Sequence, residues 1–137
     1  MRIERVVDPA AVHSAGDLFD SPPLAEPTER FLSDPTHHLL LAYDSAGRAI
    51  GMISGIETTH PDKGTEMFIY ELGVAPTARL KGVATELVKA LADLARTRGC
   101  YGMWVGTEPE NAAAQATYRK AGANEEAPFL LLSWDLT

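Results

Sequence analysis

The sequence predicts one α/β domain: a mixed, mostly antiparallel sheet flanked by helices. Three observations carry that expectation. The chain has 137 residues, 45% hydrophobic and 23% charged, which suits a single globular core. Apolar, β-prone runs separated by polar turns recur through its first half. From Met67 to Gly106 a strand, an amphipathic helix and a second strand follow one another, which is the pattern of a right-handed crossover between parallel neighbours.

Taken in order, IERVV near the start has strand character. Asp8 and Pro9 then supply a cap and a first helical position, so a helix is expected from there to about Phe19. The proline-rich DSPPLAEP reads as a loop, followed by a short helix from Thr28 to Leu32 capped by Thr28. HHLLLAY and RAIGMISGIE, joined by DSAG, form a hairpin of strands two and three. MFIYELGV is strand four, nearly continuous in apolar character, as a strand covered on both faces should be.

After it, Val83, Leu87, Val88, Leu91, Leu94 and Ala95 recur at helical spacing, with Glu86, Lys89, Asp93 and Arg96 opposite and Gly99 placed to end the helix. YGMWVG is strand five, parallel to strand four. NAAAQATYRKAG is a short helix ending at Gly122, and FLLLSWDL is a closing strand.

Several classes are excluded or disfavoured by composition. No apolar run approaches the roughly 20 residues needed to span a bilayer, and the amino terminus lacks a secretory pattern, so a cytoplasmic location is expected. Cys100 is the only cysteine, which rules out an internal disulfide and a zinc-binding cysteine pair. The four histidines lack metal-ligand spacing, so no metal is expected. A net charge of −7 disfavours nucleic acid and favours a cationic partner. Five acids and one base lie between Asp17 and Asp34, whereas the turn around Arg79 and Lys81 is basic. Two ligands of opposite charge are therefore expected, the anionic one at that turn, where the first N–H groups of a helix lack intrahelical partners.

The turn itself, Arg79-Leu80-Lys81-Gly82-Val83-Ala84, resembles the acyl-CoA pyrophosphate loop of the GNAT acetyltransferases, Arg/Gln-x-x-Gly-x-Gly/Ala between a strand and a helix. NAAAQATY resembles that family's Asn-x-x-Ala-x-x-x-Tyr helix, and the order of elements matches its fold over nearly the whole chain. Within the family the chain looks closest to the aminoglycoside 3-N-acetyltransferases of type I, on IYELGV running into RLKGVATELV and on TEPENAAAQATYRKAGANEE. Leu80 departs from the arginine often found there, which removes one charge beside the phosphates.

The resemblance implies direct acetyl transfer from acetyl-CoA to a small cationic amine, in a protein expected to form a homodimer. Strands four and five would splay to admit the cosubstrate. Arg79, Leu80, Lys81 and the N–H groups of Gly82, Val83, Ala84 and Thr85 would hold its pyrophosphate. Leu72, Gly73 and Val74 would pair with the pantetheine arm. Asn111 would fix that arm or cap its helix, with Ala114 beside it, and Tyr118 would protonate the departing thiolate.

Glu71, a carboxylate inside an apolar strand, is either a satisfied structural glutamate or the general base. An amine with a pKa of about 10.4 must lose a proton before it can attack. Glu108 is the second candidate base, or a ligand for the acceptor's charge. Asp20, Glu26, Glu57, Glu71, Glu108 and Glu110 are the candidate acceptor-binding acids. Two other readings stay open: acetylation of another amine, a polyamine or a peptide terminus, and a non-catalytic acyl-CoA sensor.

Overall fold

The computed structural model describes every residue, Met1–Thr137. Five strands form one sheet in sequence order: β1 (Arg2–Arg5), β2 (His37–Tyr43), β3 (Ala49–His60), β4 (Gly64–Val74) and β5 (Gly102–Trp104). Neighbours are antiparallel except β4 and β5, which are parallel. Four helices flank the sheet, namely α1 (Pro9–Ser14), α2 (Ala25–Ser33), α3 (Val83–Thr97) and α4 (Ala112–Lys120). The expected mixed sheet with a parallel pair is therefore observed.

Each face of the sheet carries its own apolar layer. Leu40, Ile53, Met67 and Ile69 pack on Leu87 and Leu91 of α3. On the opposite face Leu39, Leu41 and Met52 pack with Val6, Val12 and Ala15 under α1. Strand residues alternate between faces, so both layers can be filled from consecutive positions of the nearly continuous apolar runs. Helix α3 matches the sequence reading, with Gly99 at a positive φ of 80° just beyond it.

The structure corrects three expected elements. α1 stops at Ser14, and a 3₁₀ turn over Gly16–Leu18 follows, because glycine there weakens the helix. Asp8 caps α1 as expected, accepting from the Ala10 N–H at 2.9 Å. α2 begins at Ala25, and Thr28 is a buried interior residue rather than its cap. Pro27 is tolerated because its missing N–H falls in the first turn, where no intrahelical bond is made. Finally, Phe129–Leu132 and the residues after them form no strand.

One buried polar network ties the ends of the sheet to α3. His38, 1% exposed, receives a hydrogen bond at Nδ1 from Arg5 Nε at 3.2 Å. Its Nε2 meets Glu57 Oε2 at 2.6 Å, and Arg98 Nε donates to the same oxygen at 2.8 Å. With Nδ1 accepting, Nε2 carries the proton and the ring is neutral. Burial keeps the imidazole below its ordinary range. Burial also disfavours the Glu57 carboxylate, yet bonds from Arg98 and His38 outweigh it and hold its pKa below the usual value.

Both shifts act in one direction. The unfolded His38 ring titrates near about 6.5, so below that pH the unfolded chain binds more protons and stability falls toward the folded value. Glu57 adds a second loss as pH falls through the carboxylate range. The midpoint of thermal unfolding is expected to drop between about pH 7.5 and about pH 5.5, and His38→Gln to flatten that slope. A slope unchanged by the substitution would remove His38 from the acid response. Glu57→Gln is expected to destabilise the chain by about 1–3 kcal/mol, measured by denaturant unfolding.

Candidate active site

Strand β4 does not run evenly against β3. Gly55 pairs with Ile69 and Ser54 with Glu71, which leaves Tyr70 without a partner. This is a β-bulge, and it reverses the alternation of the strand. Met67 and Ile69 face α3 before it, and Leu72 and Val74 face α3 after it. Without the extra residue, the alternation that starts at Met67 would turn Glu71 into that core. The bulge instead sets Glu71 on the opposite face, beneath α1 and α2. Ser54, itself buried, fixes the arrangement by accepting the Glu71 N–H at 3.1 Å through its hydroxyl.

Pairing of β4 with β5 covers only Glu66–Phe68 against Gly102–Trp104. Beyond Phe68 the β5-side edge of β4 has no strand partner, so the parallel pair opens beside Leu72, Gly73 and Val74. On the other face a cavity of about 340 Å³ reaches Glu71, with Phe19, Leu24, Phe31, Tyr70 and Ser54 among its walls. Burial, aided by the negative charge of Asp20, raises the Glu71 pKa above its ordinary value. Gly73 explains how the chain after α1 comes so near. A Cβ there would lie 2.7 Å from the Leu18 carbonyl oxygen, a contact only glycine avoids.

At the end of β4 a 3₁₀ turn, Pro76–Ala78, leads into the basic loop. Leu80 and Gly82 both have left-handed backbone, with φ of 63° and 80°. The leucine conformation is strained by roughly 1 kcal/mol or more, and its side chain is fully exposed. No side chain caps α3, so the N–H groups of its first turn are free of a local acceptor. Arg79 Nε donates to the Val74 carbonyl at 3.4 Å, which holds that guanidinium at the mouth of the opened strands. These features fit a pyrophosphate: free N–H donors, a helix dipole and two basic side chains.

Tyr118 lies on α4, half-buried against the α3 layer, and burial raises its phenol pKa. Asn111 caps α4, its side chain accepting from the Ala114 N–H at 3.0 Å. Glu108 and Glu110 sit on the exposed turn before that helix, where the Glu108 carbonyl accepts from Gln115 at 3.1 Å. Glu26 is exposed on α2. Thus Glu71 lines the cavity, with Asp20 close enough for its charge to act on that carboxylate, while Asp20, Glu26, Glu108 and Glu110 do not line it.

Glu57 is committed elsewhere, to His38 and Arg98, and is not available to an acceptor. Sequence reading missed Ser54, Tyr70 and the aromatic walls contributed by Phe19 and Phe31. Only the misfit of Glu71 with the α3-facing alternation of Met67 and Ile69 could have signalled a bulge.

The model of the acetyltransferase (GNAT) family matches residues 8–123. The chain is 30% identical over 81 residues to an L-2,4-diaminobutyric acid acetyltransferase of Nocardia farcinica (strain IFM 10152), a match that takes in 56% of this chain and 41% of that protein. It therefore spans less than half the length of that relative.

An aminoglycoside acetyltransferase from an uncultured soil metagenomic sample, solved with trehalose, superposes with a TM-score of 0.90 at 18% identity, covering 99% of this chain and 96% of that one. The aminoglycoside N-acetyltransferase AAC(6')-Iy in complex with CoA gives 0.83 at 21% identity, over 98% and 99%. An aminoglycoside 6'-N-acetyltransferase from Acinetobacter haemolyticus gives 0.77 at 20% identity, over the full length of both. These likenesses establish the fold. With the family model matched across both the bulged strand and the basic loop, the chain belongs to the GNAT family of N-acetyltransferases.

Proposed function

We propose that this chain transfers acetyl from acetyl-CoA to a primary amine of a small cationic acceptor, with an aminoglycoside as the first acceptor class. The observation that carries the reading is the position of Glu71. Its carboxylate ends an acceptor-sized cavity on the same strand whose far edge opens beside β5 and whose end enters the basic loop. A base and an anion cradle thus share one strand.

In this reading Arg79, Lys81 and the N–H groups at the start of α3 hold the cosubstrate, and Leu72 to Val74 pair with its arm. The bound cosubstrate supplies an activated thioester carbonyl, so the protein needs only to align and move protons. Glu71 takes the ammonium proton, directly or through water. A raised pKa makes it a better acceptor for that proton at neutral pH. As the C–N bond forms and the C–S bond breaks, the proton on Tyr118 passes to the leaving sulfur, and the second proton shed by the acylated nitrogen restores the phenol. A phenol with a pKa raised by burial stays protonated until then.

Support for an aminoglycoside comes from the acidic chain and from the names of the solved relatives, which include complexes with sisomicin and with a CoA–acetylneamine bisubstrate analogue. The sequence resemblance points to the 3-amine, whereas two of those relatives are named for the 6' position. A second reading is favoured by the cavity itself. Its walls are mainly apolar, and the diaminobutyric acid relative supports an amine on a short carbon stem.

Purified protein incubated with acetyl-CoA and a panel of aminoglycosides, diamino acids, polyamines and peptides is expected to release CoA thiol with a cationic amine. Product NMR then assigns the acetylated nitrogen. Tight CoA binding with no turnover on any amine would leave only a sensor. Glu71→Gln is expected to lower kcat by about 10²-fold and to abolish an acidic limb of the kcat/KM profile lying above the ordinary carboxylate range. Wild-type turnover in this variant would leave Glu71 structural. Tyr118→Phe should lower kcat tens-fold, on the order of the effect of one proton donor, with little change in KM for acetyl-CoA. Arg79→Ala combined with Lys81→Ala should raise that KM about tenfold or more while sparing the pH profile.

A further inference from the structure

The cavity that ends at Glu71 has one carboxylate on its walls. Phe19, Phe31 and Tyr70 supply rings and Leu24, Leu39 and Ile56 aliphatic side chains, and no Asp or Glu other than Glu71 lines it. The nearby acids are committed. Glu57 is held by His38 and Arg98. Asp34, at the end of α2, accepts the N–H and the hydroxyl of Thr36 on one oxygen, at 2.9 and 2.6 Å, and its other oxygen lies 3.7 Å from His37 Nε2.

Polar groups on the walls are few and partly used. The buried Ser54 hydroxyl already accepts the Glu71 N–H at 3.1 Å. His37 also lines the cavity, but it is a base rather than an acid, and its ring sits against Phe31 with centroids 5.3 Å apart. An ammonium that enters beside Glu71 therefore finds a counter-charge, and a second one on the same molecule finds none. Burying a charge without a partner is strongly unfavourable, whereas a carbon stem against these walls gains by leaving water. Size points the same way. At about 340 Å³ the cavity is at the small end of ligand sites, roughly 300–1,000 Å³, which suits one ring or a short chain better than linked sugar rings.

We infer that the acceptor taken at Glu71 is a monoamine on an apolar stem, aliphatic or aromatic, whose reacting nitrogen is its only charge. The inference rests on the acetyl transfer proposed above and takes up the second of its two acceptor readings. In this arrangement the ammonium meets the Glu71 carboxylate and the stem packs among the rings of Phe19, Phe31 and Tyr70. Acetylation turns the charged amine into a neutral amide, with CoA leaving as the thiol and the remaining proton passing through Glu71 to solvent. Selectivity comes from what the walls lack. A polycation is rejected because no second carboxylate meets it.

Matched amines test this on the intact protein. Pentylamine and 1,4-diaminobutane have the same length and differ by a methyl in place of an ammonium. The kcat/KM for pentylamine and for 2-phenylethylamine is expected to exceed that for 1,4-diaminobutane about 30-fold or more, and that for kanamycin by at least as much. Leu24→Glu puts a second carboxylate on the wall at an exposed position, and should cut the pentylamine-to-diaminobutane ratio about tenfold. Leu24→Gln, of the same size without the charge, should leave that ratio within about twofold.

A diamine or an aminoglycoside turned over as well as the monoamines would overturn the inference and leave acetyl transfer standing. Calorimetric binding of the same amines to the CoA-bound protein reads the opposite failure. If no amine is turned over, yet pentylamine binds about 30-fold more tightly than 1,4-diaminobutane, the assignment of the cavity holds and the transfer reading falls. Equal binding of the two, or binding of neither, would overturn the inference.

Discussion

The extra residue in β4 is the constraint on which the rest of the site depends. Strands in a sheet alternate faces without exception unless a residue is inserted, and the α3 layer requires apolar side chains at Met67, Ile69, Leu72 and Val74. Those positions are incompatible with a regular strand. Tyr70 absorbs the mismatch, and the Ser54 hydroxyl takes up the N–H that follows it. A carboxylate thereby leaves the hydrophobic core for the opposite face, close to where the pairing with β5 ends at Phe68. The carboxylate at the cavity, the unpaired edge of β4 and the entry to the basic loop thus lie within a few residues of one insertion.

Electrostatics divide the acids of this chain into two groups with different work. Glu57 sits in a buried network with His38, Arg5 and Arg98 and keeps its charge because hydrogen bonds from the Arg98 guanidinium and the His38 N–H outweigh desolvation. Glu71 has no such donor on its carboxylate, and burial together with Asp20 pushes its pKa up. Two glutamates on adjacent strands therefore differ in affinity for protons through their surroundings alone. The first holds the sheet to the end of α3, and the second is suited to exchanging a proton with an acceptor.

The two ends of α3 show the same economy. At its start, Leu80 and Gly82 have left-handed backbone and no side chain caps the helix, which lowers helix stability and leaves its first-turn N–H groups free for an anion. At its end, Gly99 provides a left-handed turn and Arg98 reaches across to Glu57 and the Pro35 carbonyl. A helix uncapped at one end is thus anchored at the other.

The sequence by itself determined the strand and helix order through β5 and α4, the parallel pair, the basic loop and the cap at Asn111, because these rest on short-range periodicity and on local turn chemistry. It also singled out Glu71, since a charge in an apolar run is visible without coordinates. Tertiary structure decided what those residues face. Whether Glu71 enters the core or the cavity depends on a register shift against Ser54, seventeen residues away. Whether Glu57 can meet a ligand depends on Arg98, forty-one residues away. FLLLSWDL reads as a strand in the sequence and forms none in the structure, because an apolar pattern reports side-chain character and not whether the backbone finds a partner.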